Sequence, residues 1–192
     1  MALHPHVGEF YRHWLEKSDA YKDETISSYF NKSFSLFVLY NKLYAEATFI
    51  LNREGEINVS QTGNFPDRKG ATSYAPKYIG HEFLSEELNN DRDCSNSINV
   101  LVSLIEDERF NIKLKLFDGT RQPEKDMELV SNIQSDDVVT RVEGILDLIY
   151  SVRCNMFHGN KNYQQVQIVL LKPVTIILRK VIEVLYAKLS SE

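Results

Sequence analysis

Arg153 and His158 stand five positions apart in the run Arg153-Cys154-Asn155-Met156-Phe157-His158-Gly159. A permanently charged guanidinium can hold a phosphate, and an imidazole titrating near neutrality can move a proton. Together they suffice for metal-free cleavage of RNA, in which the internal ribose 2′-hydroxyl is the nucleophile. Asn155, between them, could orient a phosphate or the histidine, and Lys161 could add a phosphate contact. Each residue also has a plainer reading. Arg153 could reach out from a helix edge, His158-Gly159 could be a helix C-cap, Asn155 an exposed helix asparagine and Lys161 a solvated loop lysine.

The element that must position this run begins at Ser135-Asp136-Asp137, a capping residue followed by acids that suit the positive end of a helix dipole. Val138, Val142, Ile145, Ile149, Val152 and Met156 then recur at spacings of four and three, and Val139, Leu146 and Phe157 form a second row. Arg153 falls between the two rows. A charge on a face that should be buried belongs to a functional residue or to an interface ion pair, and removing it could stabilise the fold if it is poorly compensated. On a continuous helix Arg153 and His158 would point about 140° apart. Either Gly159 stops the helix and lets His158 swing out, or the relevant Arg153 comes from a second subunit.

Residues 7–17 read as a short helix with Phe10, Trp14 and Leu15 inward, and residues 25–53 as a long one. Phe30, Phe34, Phe37, Asn41 and Tyr44 form a stripe along the long helix that suits core packing better than base stacking. Gly55 is expected to end it as a left-handed cap. Residues 55–75 read as a loop with room for a strand at 57–59. A helix is then expected from Pro76 to about residue 88, and another over 95–109. Residues 111–116 alternate like a brief strand, and 118–123 read as a turn. The last helix, 163–189, is apolar on almost every side, so it lies at the centre of its own bundle or is shared with a partner; Pro173 should kink it. The expected fold is therefore all-α, a single helical bundle over residues 1–192 with long antiparallel helices, irregular insertions and room for a short β segment.

With Arg153, Asn155 and His158 in R-C-N-M-F-H-G, the chain resembles the HEPN superfamily of all-α nucleotide-binding and RNA-cleaving domains, whose signature is Arg, four to six residues, then His. The run from Phe34 to Tyr44 is similar to the first long helix of some uncharacterised bacterial members. Cys154 stands directly after Arg153, with the asparagine one position later than is usual. Tyr163 does not reproduce the His-x-Tyr ending of the HepT-type toxins. The resemblance covers about half the chain and implies a metal-independent endoribonuclease serving as a toxin or defence effector. His158 would act as general acid or base, Arg153 on the scissile phosphate, and Asn155 in support. It also implies no cofactor, RNA or a nucleotide as ligand, and an antitoxin or other partner protein. One such Arg and one such His per chain, with the all-round apolar last helix, give the expectation of a homodimer that brings two motifs together. Its alternative is a non-catalytic nucleotide- or protein-binding module.

The chain has 192 residues, ample for one domain, with 43% hydrophobic and 26% charged residues. A net charge of −5 argues against broad electrostatic binding of nucleic acid, so any RNA contact must be local. Cys94 and Cys154 make no metal-ligand or disulfide pattern, which fits a reducing cytoplasm. His4, His6 and His13 lack an acidic or thiolate set for a metal, and His81-Glu82 lacks a second histidine four positions on. The first six residues carry no basic region followed by an apolar core, and no run is long enough for a membrane span.

Overall fold

A computed structural model describes residues 4–60, 63–115, 117–157 and 164–191, with the side chain of Phe157 excluded, and it is an all-α bundle. The central pair is α2 (Ile26–Arg53) and α9 (Ile168–Ser190). On α2 lies α1 (Pro5–Asp19), and on α9 lies α6 (Arg92–Glu106). Opposite them α7 (Pro123–Ile133) packs on α8 (Val138–Phe157), and α5 (His81–Asn90) joins α8 to α6. Among the described residues no helix is long and apolar enough to cross a membrane.

The long second helix follows from its ends and its stripe. Thr25 caps it, its hydroxyl accepting from the Ser28 amide at 3.2 Å. At the other end Gly55 adopts φ 77°, with the Glu56 amide on the Leu51 carbonyl and the Gly55 amide on that of Asn52, the paired closure a left-handed glycine allows. The buried stripe is Leu36, Phe37, Tyr40, Leu43, Tyr44, Ala47 and Leu51. Phe37 and Tyr44 pack as expected, whereas Phe34 is 38% exposed and Asn41 lies outward. The stripe is thus rotated toward Tyr40 relative to the expected one, because aliphatic leucines share the inner face.

Three expectations between residues 55 and 135 are corrected. No strand forms at 57–59, where the Val59 amide instead binds the Asn52 side chain at 2.8 Å. The supposed loop up to 75 is helical from Asp67: α3 (Asp67–Lys69), a π-helical turn (Gly70–Tyr74) and α4 (Ala75–Ile79) run on until Gly80, which separates α4 from α5. The wide turn is held from α2 by Tyr40, whose hydroxyl donates to the Ala71 carbonyl at 2.6 Å. Gly70 is needed there, since a Cβ would lie 3.1 Å from the Tyr44 ring. Finally, the turn read over 118–123 leads into α7, which was not anticipated. Pro123 at its start with Glu124 and Asp126 in its first turn are ordinary helix-start signals, overlooked because the helix is short. The alternating segment before it is an extended ribbon, reduced to one antiparallel bridge between Leu114 and Arg121.

Most of the apolar circumference of α9 is buried within the chain, although Val169 near its start is 38% exposed. Leu170, Leu171, Val174, Ile177, Leu178, Val181, Ile182, Leu185 and Leu189 are all buried against its neighbours. The helix starts at Ile168, after a 3₁₀ turn at Gln165–Gln167, and it runs through Pro173. Of the two readings of an all-round apolar helix, α9 takes the central position within its own bundle.

Candidate functional site

Arg153 projects from the last turn and a half of α8 toward the start of α3. Its guanidinium donates to Asp67 Oδ2 at 2.7 Å and lies over the Tyr150 ring, 5.3 Å from its centroid. Asp67 also accepts from the Tyr150 hydroxyl at 2.9 Å and, through its other oxygen, from the Tyr44 hydroxyl. One carboxylate on α3 therefore gathers a guanidinium and a phenol from α8 and a second phenol from α2. Burial pushes the Asp67 carboxyl upward. The hydroxyls of Tyr44 and Tyr150 and the guanidinium of Arg153 outweigh that and hold it below the usual carboxylate range. Burial, and then the hydrogen bond to Asp67, push both tyrosines well above the ordinary phenol value. Arg153 thus forms an ion pair between two helices of the chain. Its charge is compensated, which removes the ground for expecting its loss to stabilise the fold.

This network fixes a pH response. Asp67 stabilises the fold above the carboxylate's unfolded value of about 3.9, and that contribution fades as pH falls through its lowered folded value. The two tyrosines contribute below about pH 10, and their contribution fades as pH rises beyond it. Urea titrations should therefore show the stability gap between wild type and Asp67→Asn narrowing as pH is lowered from 4 toward 2. A gap that stays constant across that window would remove Asp67 from the network.

A cleft of about 820 Å³ opens on the neighbouring face of α8, between Tyr150, Ser151 and Cys154, the α7 side chains Lys125, Glu128, Leu129 and Asn132, and the ribbon residues Ile112–Lys115 and Phe117. At its base Asp147 is bound by Arg68 at 2.5 Å and by Lys113, whose ammonium also donates to the Ser151 hydroxyl at 2.9 Å. Asp126, buried in the first turn of α7, accepts from the amides of Ile112 and Lys113 at 3.1 and 2.7 Å. Asn155 is buried too, and its side-chain amide donates to the Ile112 carbonyl at 2.8 Å. The ribbon is thus clamped on both edges of a single peptide.

The sequence-derived site residues are distributed accordingly. Arg153 sits in the tyrosine–carboxylate seat, and Asn155 faces the ribbon as a clamp on its backbone. His158 and Lys161 lie outside the described residues. The structure adds Asp67, Tyr44 and Tyr150 around the arginine, and Arg68, Lys113 and Asp147 beside it. Asp147 and Tyr150 precede Arg153 by six and three on the same helix, a polar spacing visible in the sequence. Asp67 and Arg68 carried no such signal, since they fell in a stretch read as loop. Among the described residues no three His, Cys, Asp or Glu side chains are grouped so as to hold a metal ion. Asn155→Ala should cost about 1–3 kcal/mol, because the Ile112 carbonyl loses its donor where water is excluded. Denaturation midpoints measure this, and an unchanged midpoint would deny the clamp.

No family model matches the chain, and neither a curated protein nor a solved structure is significantly similar to it.

Proposed function

We propose that the protein is a metal-independent endoribonuclease of the HEPN kind, acting as a toxin or defence effector, with Arg153 and His158 as its catalytic residues and Asn155 holding the adjoining backbone. The observation that carries this reading is the seat of Arg153. A cation on the inner side of α8 is held by a carboxylate that two tyrosine hydroxyls hold in turn, as a group must be if it is to meet a phosphate in one fixed orientation. In the reaction His158 removes the proton of the ribose 2′-hydroxyl. That oxygen attacks the adjacent phosphorus, Arg153 stabilises the charge developing on the phosphoryl oxygens, and the 5′-oxygen leaves with a proton from solvent, to which protonated His158 afterwards returns its own. The products are a 2′,3′-cyclic phosphate and a 5′-hydroxyl. No water is consumed in this step, so no ion is needed to activate one.

Purified protein is therefore expected to cleave RNA at full rate in EDTA and to leave cyclic phosphate ends. A strict requirement for added magnesium or manganese would replace this mechanism with metal-assisted hydrolysis. The ion pair with Asp67 favours the second reading, a non-catalytic module that binds nucleotide or protein at the same end of α8, since a guanidinium already engaged by a carboxylate must exchange it for phosphate. Binding of a nucleotide or RNA without any cleavage would select that reading.

A further inference from the structure

The cleft beside Arg153 has a charge pattern unlike the rest of the chain. Its walls carry Arg68, Lys113, Lys115 and Lys125 against only Asp147 and Glu128, in a protein whose net charge is −5. Asp147 is already neutralised by two of these cations. Lys115 and Lys125 are exposed, and neither forms an ion pair among the described residues. At the mouth stands Phe117, whose ring is wholly in solvent, at 102% relative exposure. A phenylalanine held entirely in water buries none of its apolar surface in the fold, so folding stability does not account for its position. The surface beneath these groups is prepared in advance: Asp126 and Asn155 tie down the Ile112 peptide, and the bonds from Gln122 to Lys113 and from Lys115 to Thr120 close the ribbon. Alternation along the ribbon puts Lys113 and Lys115 on one side. The volume, about 820 Å³, suits a nucleotide unit.

Unpaired ammonium groups and a bare aromatic ring around one concavity are the parts that bind single strands, cations tracking the phosphates while the ring stacks on a base. A lone phosphate would leave the ring unused, and a lipid surface would not enter a cleft. The cleft also runs along α8 past Tyr150 and Cys154, the neighbours of Arg153. We propose that the cleft between α7, α8 and the 111–122 ribbon is the path of a single-stranded RNA segment, with Lys115 and Lys125 on its phosphates and Phe117 stacked on a base. This rests on the ribonuclease reading for the nature of the strand.

The test uses the full chain and a fluorescent single-stranded RNA oligonucleotide in which every 2′-hydroxyl is methylated, so that it binds without being cut. Anisotropy should show binding. Lys115→Glu combined with Lys125→Glu should weaken it at least tenfold and flatten its salt dependence by about two ions. Phe117→Ala should weaken it about fivefold or more. The three substitutions lie on exposed side chains, so melting curves should match wild type. Cys154 supplies a second readout, since it lines the cleft whereas Cys94 is buried with its thiol pushed up to about 12. The oligonucleotide should protect Cys154 from a thiol reagent. Equal protection by AMP or by inorganic phosphate would overturn the strand path in favour of a small-anion pocket, and so would no protection at all. Binding through the cleft by a protein that cuts no RNA would sink the ribonuclease reading and leave the cleft standing. Cutting at unchanged kcat and KM by all the cleft variants would do the reverse.

Discussion

Arg153→Ala is expected to reduce RNA cleavage by at least about 100-fold, the usual cost of deleting a preorganised group that meets developing charge. His158→Ala should lose a comparable factor through proton transfer. What separates the arginine from an ordinary catalytic deletion is its second effect. Asp67 would remain half-buried with two tyrosine hydroxyls but without the Arg153 cation, so the fold should also lose about 1–2 kcal/mol, less than the 3–5 kcal/mol of a fully buried pair because both partners keep some solvent. Initial rates in EDTA and urea midpoints measure the two effects. A variant that cuts RNA at the wild-type rate would end the catalytic assignment of Arg153 whatever its stability.

Asp126→Ala should be among the most damaging changes in the chain. The carboxylate is 4% exposed and accepts two backbone amides of the ribbon. Hydrogen bonds to charged groups are worth about 1.5–3 kcal/mol each, and the Ile112 amide would be left buried without an acceptor, so a loss of about 3 kcal/mol is expected. Because the ribbon is one wall of the cleft, oligonucleotide binding should fall with it. Urea unfolding with an unchanged m-value and a lowered midpoint would match a loss of native-state bonding. A midpoint within about 0.5 kcal/mol of wild type would show that the ribbon does not depend on α7.

The readable parts of this fold were those where one helical period persists for five turns or more. Most of the α2 and α8 apolar rows and the closure at Gly55 appear from local patterns of residues, whereas the α8 cap is Asp137, two residues after the expected Ser135, and Val139 of the second row is exposed. The Asp137 carboxylate accepts from the Thr140 amide at 2.8 Å, as the acidic start suggested. The stretch from 67 to 79 failed for a physical reason. Pro66 stands just before it, and Gly70, Thr72 and Ser73 follow within it; what makes it helical is not propensity but tertiary contact: Tyr40 on the Ala71 carbonyl, and Asp67 and Arg68 on α8. The partner of Arg153 was hidden by the same failure, since an ion pair between residues 86 apart in sequence leaves no local trace. Phe34 and Asn41 were misplaced for a smaller reason, a shift of the inner face by part of a turn.

Asp67 and Arg68 are adjacent, yet each reaches a different residue of α8, the acid to Arg153 and the base to Asp147, six positions earlier. The two helices thus meet like a polarised two-pin plug. Reversing the direction of α3 across α8 would set acid against acid and guanidinium against guanidinium, so one orientation is attractive and its reverse repulsive. A dipeptide of opposite charges gives a three-residue helix, too short to hold a direction by its own hydrogen bonds, an unambiguous handle on its neighbour.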